Sequence, residues 1–303
     1  MTVLSSFRDS DLRLLRVFRA IVDSGGFSAA QVNLNTSASR ISTQMAELEQ
    51  RLGLRLCNRG RGGFSLTAEG RVVYEETEKL FRAIEDFRLT LSEKQSRLAG
   101  EVRLGLIDNL TTNEAARVPM AIARYKRRDN DVSFDLRIEP PLELEAGVLN
   151  GRFHLAIGYF HHRVNGLHYR PLFSEVHHLY CGRGHPLFDT DDGDITADDL
   201  QKYDYANRRY FEREGELASD FGTRGSAATE NMEALTVLIL SGVYLAFLPK
   251  DHARQWVEKG RIRPVCPNRI RQTATLHLIT RRGIRQPGVV HTFIEDLIAE
   301  HVS

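Results

Sequence analysis

The stretch TSASRISTQMAELEQRLGLRLCNRGRGGFSLTAEG, residues 36 to 70, allows few folds. Ile41, Met45, Leu48 and Leu52 recur at helical spacing, Ser37 stands where an N-cap is needed, and Gly53 follows the last apolar residue. A 3.6-residue stripe bounded by a cap and a stop predicts one short helix, with Ser39, Arg40, Ser42 and Thr43 on its other faces near the start. Upstream, Leu12, Leu15, Phe18 and Val22 predict a helix that stops at Ser24-Gly25-Gly26, and FSAAQVNLN supplies a second short one. Two helices joined by a tight turn, the second polar on its exposed face, make a helix-turn-helix pattern. LRLCNRGRGGFSLT then alternates as a hairpin does, with Arg59 to Gly63 at the tip of a wing.

Charge is distributed unevenly. The whole chain carries 41 basic against 40 acidic residues, so net charge alone argues against a nucleic-acid binder. Between Met1 and Ser65, however, nine arginines face five acidic residues, and no lysine contributes. Arginine is the side chain suited to bidentate contact with phosphate and guanine. At 303 residues and 42% hydrophobic, the chain is long enough for one small and one larger domain. MTVLSSFRDSDLRLLRVF breaks any apolar signal core with charges, so a cytoplasmic location is expected. ALTVLILSGVYLAFLP, residues 234 to 249, is too short to span a membrane and reads as helix, turn, strand. Cys57, Cys181 and Cys266 form no CxxC, which argues against a disulfide framework or structural zinc. They read as buried thiols, with redox sensing through Cys181 or Cys266 as the alternative.

From a cap at Thr67, one long helix is predicted to Leu98. Val73, Thr77, Leu80, Ile84, Phe87, Leu91, Lys94 and Leu98 step alternately by four and three residues, the spacing of a coiled-coil seam. Val73, Leu80, Ile84, Phe87 and Leu91 are the expected dimerisation residues. After Ala99-Gly100 the pattern changes. EVRLGLI and VSFDLRIE read as strands around the helix TNEAARVPMAIARYKRR; the helix LELEAGVLNG then leads to the strand FHLAIGYF. This β-α-β-α-β order predicts an α/β sheet with parallel strands. EVHHLYCG opens a second lobe, and TATLHLITRR with the final helix VVHTFIEDLIAEH returns the chain to the first. Two lobes joined by two strands leave a hinged cleft suited to a small ligand.

Residues 25 to 70 resemble the N-terminal winged helix-turn-helix of LysR-type transcriptional regulators. Phe27-Ser28, Ala30, Leu34, Ser37, Ser42, Gln44, Leu48-Glu49, Leu52-Gly53, Arg55-Leu56, Arg59, Leu66-Thr67 and Gly70 carry the likeness. GRFHLAIG, GHPL and LSGVYLAFLP resemble the family's effector domain in order and place. The resemblance implies an all-α winged helix domain at 1–66 and a linker and dimerisation helix at 67–99. It also implies a two-lobed, periplasmic-binding-protein-like α/β effector domain at 100–303, with lobe I about 100–170 and 272–303 and lobe II about 171–271. Expected partners are double-stranded promoter DNA with pseudo-palindromic sites, a small-molecule effector, and further copies of the chain as homodimer or dimer of dimers. No cofactor and no catalytic residue is expected. Ala38, Ser39, Arg40 and Thr43 depart from the family's usual residues, so base readout should differ; Cys57 stands where phenylalanine is common and reads as core.

On DNA, Ser39, Arg40, Ser42 and Thr43 are expected in the major groove, with Ser37 as cap and phosphate donor. Arg59 and Arg61 fit the minor groove, since Gly60, Gly62 and Gly63 strip the tip of bulk; pairing of Arg59 with Glu49 is the alternative. For the effector, Thr111-x-x-Glu114 in DNLTTNE forms a candidate capping box whose free amides would suit an anion. The family resemblance carries Asn109 and Pro141 into the cleft, and Thr111, Thr112, Asn207, Arg208 and Thr229 are expected there with them, Arg208 and Arg209 being able to clamp an acid. Seven of the eleven histidines lie between His154 and His185. Adjacent pairs on strands point to opposite faces and no cysteine or carboxylate joins them at ligand spacing, so no metal site is expected. An α/β enzyme or transport-type binding protein would show a nucleophile elbow, a phosphate loop or an export signal, and none is present; nor would it need residues 1 to 66.

Overall fold

A computed structural model of the chain describes residues 7–60, 63–92, 98–208 and 225–302. They form two compact units, Met1–Phe87 and Arg88–Ser303. The first begins with α1 (Asp9–Asp23), α2 (Phe27–Leu34) and α3 (Ala38–Leu52). A hairpin of β1 (Cys57–Gly60) and β2 (Gly63–Leu66) and the long α4 (Ala68–Ser92) follow. Helix α3 is capped as its sequence predicts: the Ser37 hydroxyl accepts from the Arg40 amide at 3.4 Å, and Gly53 ends it at φ 65°. Leu14, Phe18, Ile21, Ile41, Met45, Leu48 and Leu56 form a fully enclosed core. On α1 the deepest positions are Leu14, Phe18 and Ile21, while Leu12 and Val22 of the predicted stripe are only half-buried. Two helices pack against α1, so its buried stripe is wider and rotated. Asp11, also buried, takes the Arg51 guanidinium from the end of α3 at 2.8 Å, tying the two helices together.

Two side chains fix the hairpin between α3 and α4. Glu49 of α3 accepts from the Leu56 amide at 2.8 Å and the Cys57 amide at 3.4 Å. Thr67 donates to the Arg55 carbonyl at 2.6 Å and accepts from the Gly70 amide at 2.8 Å, so it caps α4 as expected. Of the predicted seam, Val73 and Leu80 pack against the unit's own core, and the Thr77 hydroxyl returns to the Val73 carbonyl at 2.7 Å. Ile84 is half-buried and Phe87 is 64% exposed; the Leu91 side chain and Lys94 lie outside the described residues. Leu98 corrects the predicted helix. It opens a strand and pairs in parallel with Asn130, because an apolar residue at seam spacing serves a sheet equally well once a partner strand is present.

The second unit contains β3 (Leu98–Leu106), α5 (Val118–Lys126), β4 (Asn130–Ile138), α6 (Pro141–Leu149), β5 (Leu155–Gly158) and β6 (Leu167–Gly182). Next come α7 (Ala197–Leu200), β7 (Tyr205–Arg208), β8 (Gly225–Thr229), α8 (Met232–Leu240), β9 (Ala246–Pro249) and α9 (Lys250–Glu258). β10 (Ile262–Pro264), β11 (Arg271–Arg281) and α10 (Gly288–Val302) close the chain. The main sheet has the order β10-β6-β11-β5-β3-β4, with β9 on the other edge of β6. β3 is parallel to β4 and β5, whereas β11 and β6 run antiparallel, so the sheet is mixed rather than wholly parallel. β6 starts earlier than its sequence predicts. Its Pro171 lacks an N–H but sits beside the irregularity at Leu276/His277, where the ladder with β11 shifts and no donor is required. β6 and β11 run through both lobes, and α10 returns to pack Phe293 and Leu297 into the lobe I core with Leu104 and Tyr125.

Candidate functional site

Two places in the fold concentrate polar side chains. In the first unit the start of α3 presents Ser39, Arg40 and Thr43 on its exposed face, with Ser42 half-buried. The Ser37 and Ser39 hydroxyls lie 3.0 Å apart, and Thr43 donates to the Ser39 carbonyl at 3.0 Å, a return bond that a helix tolerates. Arg40 therefore extends from an ordered first turn. The hairpin holds Arg59 in β1, opposite Phe64; its side chain and the whole of Arg61 lie outside the described residues. The Glu49 carboxylate accepts from the hairpin backbone at Leu56 and Cys57, while its alternative pairing with Arg59 falls on a side chain outside the described residues.

The second place is the cleft of the second unit. At its floor a cavity of about 20 Å³ is lined on the polar side by Asp108, Asn109, Glu175, His177 and Arg208. Ile107, Leu110, Tyr159, Met232, Ala274 and Leu276 complete it. The loop after β3 reaches across the cleft. Asp108 accepts from the Arg208 guanidinium with one oxygen and from the Met232 amide, at the first turn of α8, with the other at 2.5 Å. Asn109, at φ 68°, places its side-chain oxygen 2.5 Å from His252 Nδ1, and the other ring nitrogen of His252 meets the Thr236 hydroxyl at 2.9 Å. Burial pushes the His252 imidazole down to about 4, so the ring is neutral at neutral pH. Glu175 is also buried, which favours its neutral form, but hydrogen bonds from His177 at 2.7 Å and Asn113 at 3.1 Å and the Arg208 charge outweigh burial and hold its carboxyl below the ordinary range. Past the Asn113–Glu175 bond a wider hollow of about 310 Å³ opens, lined by Ser174, Lys250, Asp251 and Arg254 among others.

Of the predicted cleft residues, Asn109 and Arg208 line the cavity and Thr111, Thr112, Pro141, Asn207 and Thr229 do not. No capping box forms at Thr111. Leu110–Thr112 makes a single 3-10 turn, Asn113 captures the Ala115 amide at 2.9 Å, and α5 begins only at Val118. Thr112 instead buttresses Asn109, donating to its side-chain oxygen at 3.1 Å. Pro141 begins α6 and is buried there; Asn207 pairs with Ala228 in the small β7-β8 sheet. At α8 the cap is Asn231, which accepts from the Ala234 amide at 2.8 Å, and not Thr229. Arg209 lies outside the described residues. Sequence reading missed Asp108, Glu175, His177, Met232 and His252, none of which sits in a recognisable local motif.

Other candidates resolve as structural. His154 accepts the Arg103 amide at 3.1 Å and His185 the Leu187 amide at 3.1 Å, both buried. Glu175 does stand beside His177, but among the described residues no three metal-binding side chains converge. All three cysteines are buried, and burial pushes Cys181 up to about 11, which keeps that thiol protonated. Among the described residues no helix is long and apolar enough to cross a membrane.

Comparison with known proteins decides the class. A family model described as LysR substrate binding domain matches residues 95–301, and one described as bacterial regulatory helix-turn-helix protein, lysR family, matches residues 12–71. The chain belongs to the LysR family of transcriptional regulators. It is similar, at 39% identity over 96% of each chain, to the HTH-type transcriptional activator BauR of Pseudomonas aeruginosa. It is 29% identical over 90% of its length to the SDS degradation transcriptional activation protein of a Pseudomonas species, of which it covers 91%. Full-length CbnR in complex with its target DNA shares the fold with a TM-score of 0.69 at 20% identity, covering 95% of this chain and 99% of that one. This LysR-family chain is a DNA-binding transcriptional regulator with a helix-turn-helix unit and an α/β effector-binding unit, and not an enzyme.

Proposed function

We propose that this LysR-family regulator reads promoter DNA through Arg40, Ser39 and Ser42 at the start of α3, with Arg59 and Arg61 of the wing in the adjoining minor groove, and that a small molecule in the interlobe cleft controls the outcome. The observation that carries the reading is the exposed first turn of α3, capped by Ser37 and flanked by a hairpin fixed to the same helix through Glu49. A hairpin tied at its base to the same helix and a polar helix start on one unit are what simultaneous major- and minor-groove contact requires. The structure with target DNA and the structure of a Corynebacterium glutamicum regulator with bound effector Arg, TM-score 0.52 at 16% identity, share this architecture. Dimerisation runs through the distal part of α4, where Ile84 and Phe87 are not consumed by the unit's own core, and dimers pair to tetramers. Both relatives are described as activators, which supports activation as the sense of control.

A footprint of the purified protein on DNA upstream of its own gene tests the reading. Two protected half-sites a helical turn or its multiple apart, weakening steeply with salt, are expected. Protection that ignores sequence, or that persists after Arg40→Ala without change in base preference, counts against the assigned readout.

A further inference from the structure

The anion-binding groups of the cleft are already occupied by a side chain of the protein itself. Arg208 is 6% exposed, and its guanidinium and the Met232 amide, in the first turn of the nine-residue α8, both donate to Asp108. A buried guanidinium beside the Met232 amide of a helix start is a seat for one carboxylate: charge-assisted bonds hold both oxygens, and the helix dipole adds to them. Asp108 fills that seat from the opposite lobe, one oxygen on each donor. Its neighbour Asn109 is held at φ 68° against His252, so seat and latch are one dipeptide.

We propose that Asp108 is a built-in competitor for the effector, that the effector bears a carboxylate which displaces Asp108 from Arg208 and Met232, and that this displacement unlatches Asn109 from His252. The proposal rests on the cleft being the effector site. The exchange is like for like, so Arg208 and the Met232 amide trade one carboxylate for another. Asp108 is the member that can leave, because its side chain retains 16% exposure while that of Arg208 retains 7%. Ile107, Leu110 and Leu276 line the same cavity and would meet the short carbon skeleton of such an acid once Asp108 has left its place. Binding of the acid would thereby break every contact that residues 108 and 109 make across the cleft to Arg208, Met232 and His252.

The molecule carries its own reporter. Trp256 is the single tryptophan of the chain, and its ring centroid lies 4.8 Å from that of His252. Trp256 fluorescence of the full-length protein is followed during titration with sodium acetate or propionate at constant ionic strength and pH 7.5, with methylammonium chloride as control. Asp108→Asn removes the competing charge, so the acids should act at concentrations at least about tenfold lower than in the parent chain, by the ordinary arithmetic of a pre-occupied site. Adding Arg208→Gln should abolish the response. The parent protein, titrated to high acetate, gives the same answer without relying on the variant's folding: a saturable change in Trp256 supports the exchange, and no change overturns it. Equal acetate affinity in parent and Asp108→Asn, or a response to methylammonium in place of acetate, also overturns it. A promoter footprint run alongside separates the two readings, since lost protection would sink the regulator assignment while leaving the seat to be judged on Trp256.

Discussion

Glu49→Ala offers a sharp test of how the wing is held. The Glu49 carboxylate accepts from the Leu56 amide at 2.8 Å and from the Cys57 amide at 3.4 Å, and Leu56 is 0% exposed. Truncation leaves a buried N–H with no acceptor, which costs about 1–3 kcal/mol, and the lost bond was charge-assisted, placing the value in the upper half of that range. The longer Cys57 contact adds little. A loss of about 2–3 kcal/mol in a unit of this size lowers its melting transition by roughly 10 °C or more. Glu49→Gln retains an uncharged acceptor and should lose less than half as much. Scanning calorimetry of the full chain measures the transition, hydrogen exchange at Leu56 and Cys57 locates the change, and promoter affinity should fall with it because the wing loses its tether to α3. Both variants melting within about 0.5 kcal/mol of the parent would refute the tether, since an exposed carboxylate of no structural consequence behaves that way.

At Gly70 an added Cβ would stand 1.8 Å from the Leu56 carbonyl oxygen, so Gly70→Ala should cost about 3 kcal/mol or more; an unchanged melting curve would mean that α4 and the hairpin do not touch as described. The His252 ring, depressed from 6.5 to about 4, is neutral in the fold, so the unfolded chain takes up its proton first on acidification. Its contribution is nil above neutral pH, and about 3 kcal/mol of stability is lost as pH falls from 6.5 towards 4; urea unfolding should lose that slope in His252→Gln, and identical slopes would contradict the burial argument. Arg40→Ala should relax preference at one base position at a cost of about 1–3 kcal/mol, which equal losses on specific and random DNA would disprove. Phe87, 64% exposed on α4, can be charged without disturbing the core, so Phe87→Asp should weaken self-association in sedimentation while leaving the melting transition in place.

The DNA-binding unit was readable because its signals are local. Ser37, the stripe Ile41, Met45 and Leu48, and the stop at Gly53 lie within one helix, and each does there what residues of its type do at those positions. The same reasoning failed at Thr111-x-x-Glu114, where the motif is present and the box is not. The chain closes only a single 3-10 turn over Leu110–Thr112, Asn113 after it takes the Ala115 amide, and α5 starts only at Val118. Leu98 satisfied the seam spacing and still went to the sheet, since its partner Asn130 is fixed by tertiary pairing. Asp108 shows the limit most plainly. Its two partners stand 100 and 124 residues further along the chain, and an aspartate after a strand carries no mark of either.

The lobes hang on β6 and β11, and these two strands remain hydrogen-bonded to each other from Leu167–Arg281 to His178–Arg271. A pair of loops would let the halves swing freely; a shared ladder resists swinging and yields to torsion. The ladder is softest at Pro171 and the step between Leu276 and His277, and Leu276 is itself a wall of the cavity. A molecule seated on the cavity floor would therefore lie against the one irregular step of that ladder, where the two strands are easiest to twist.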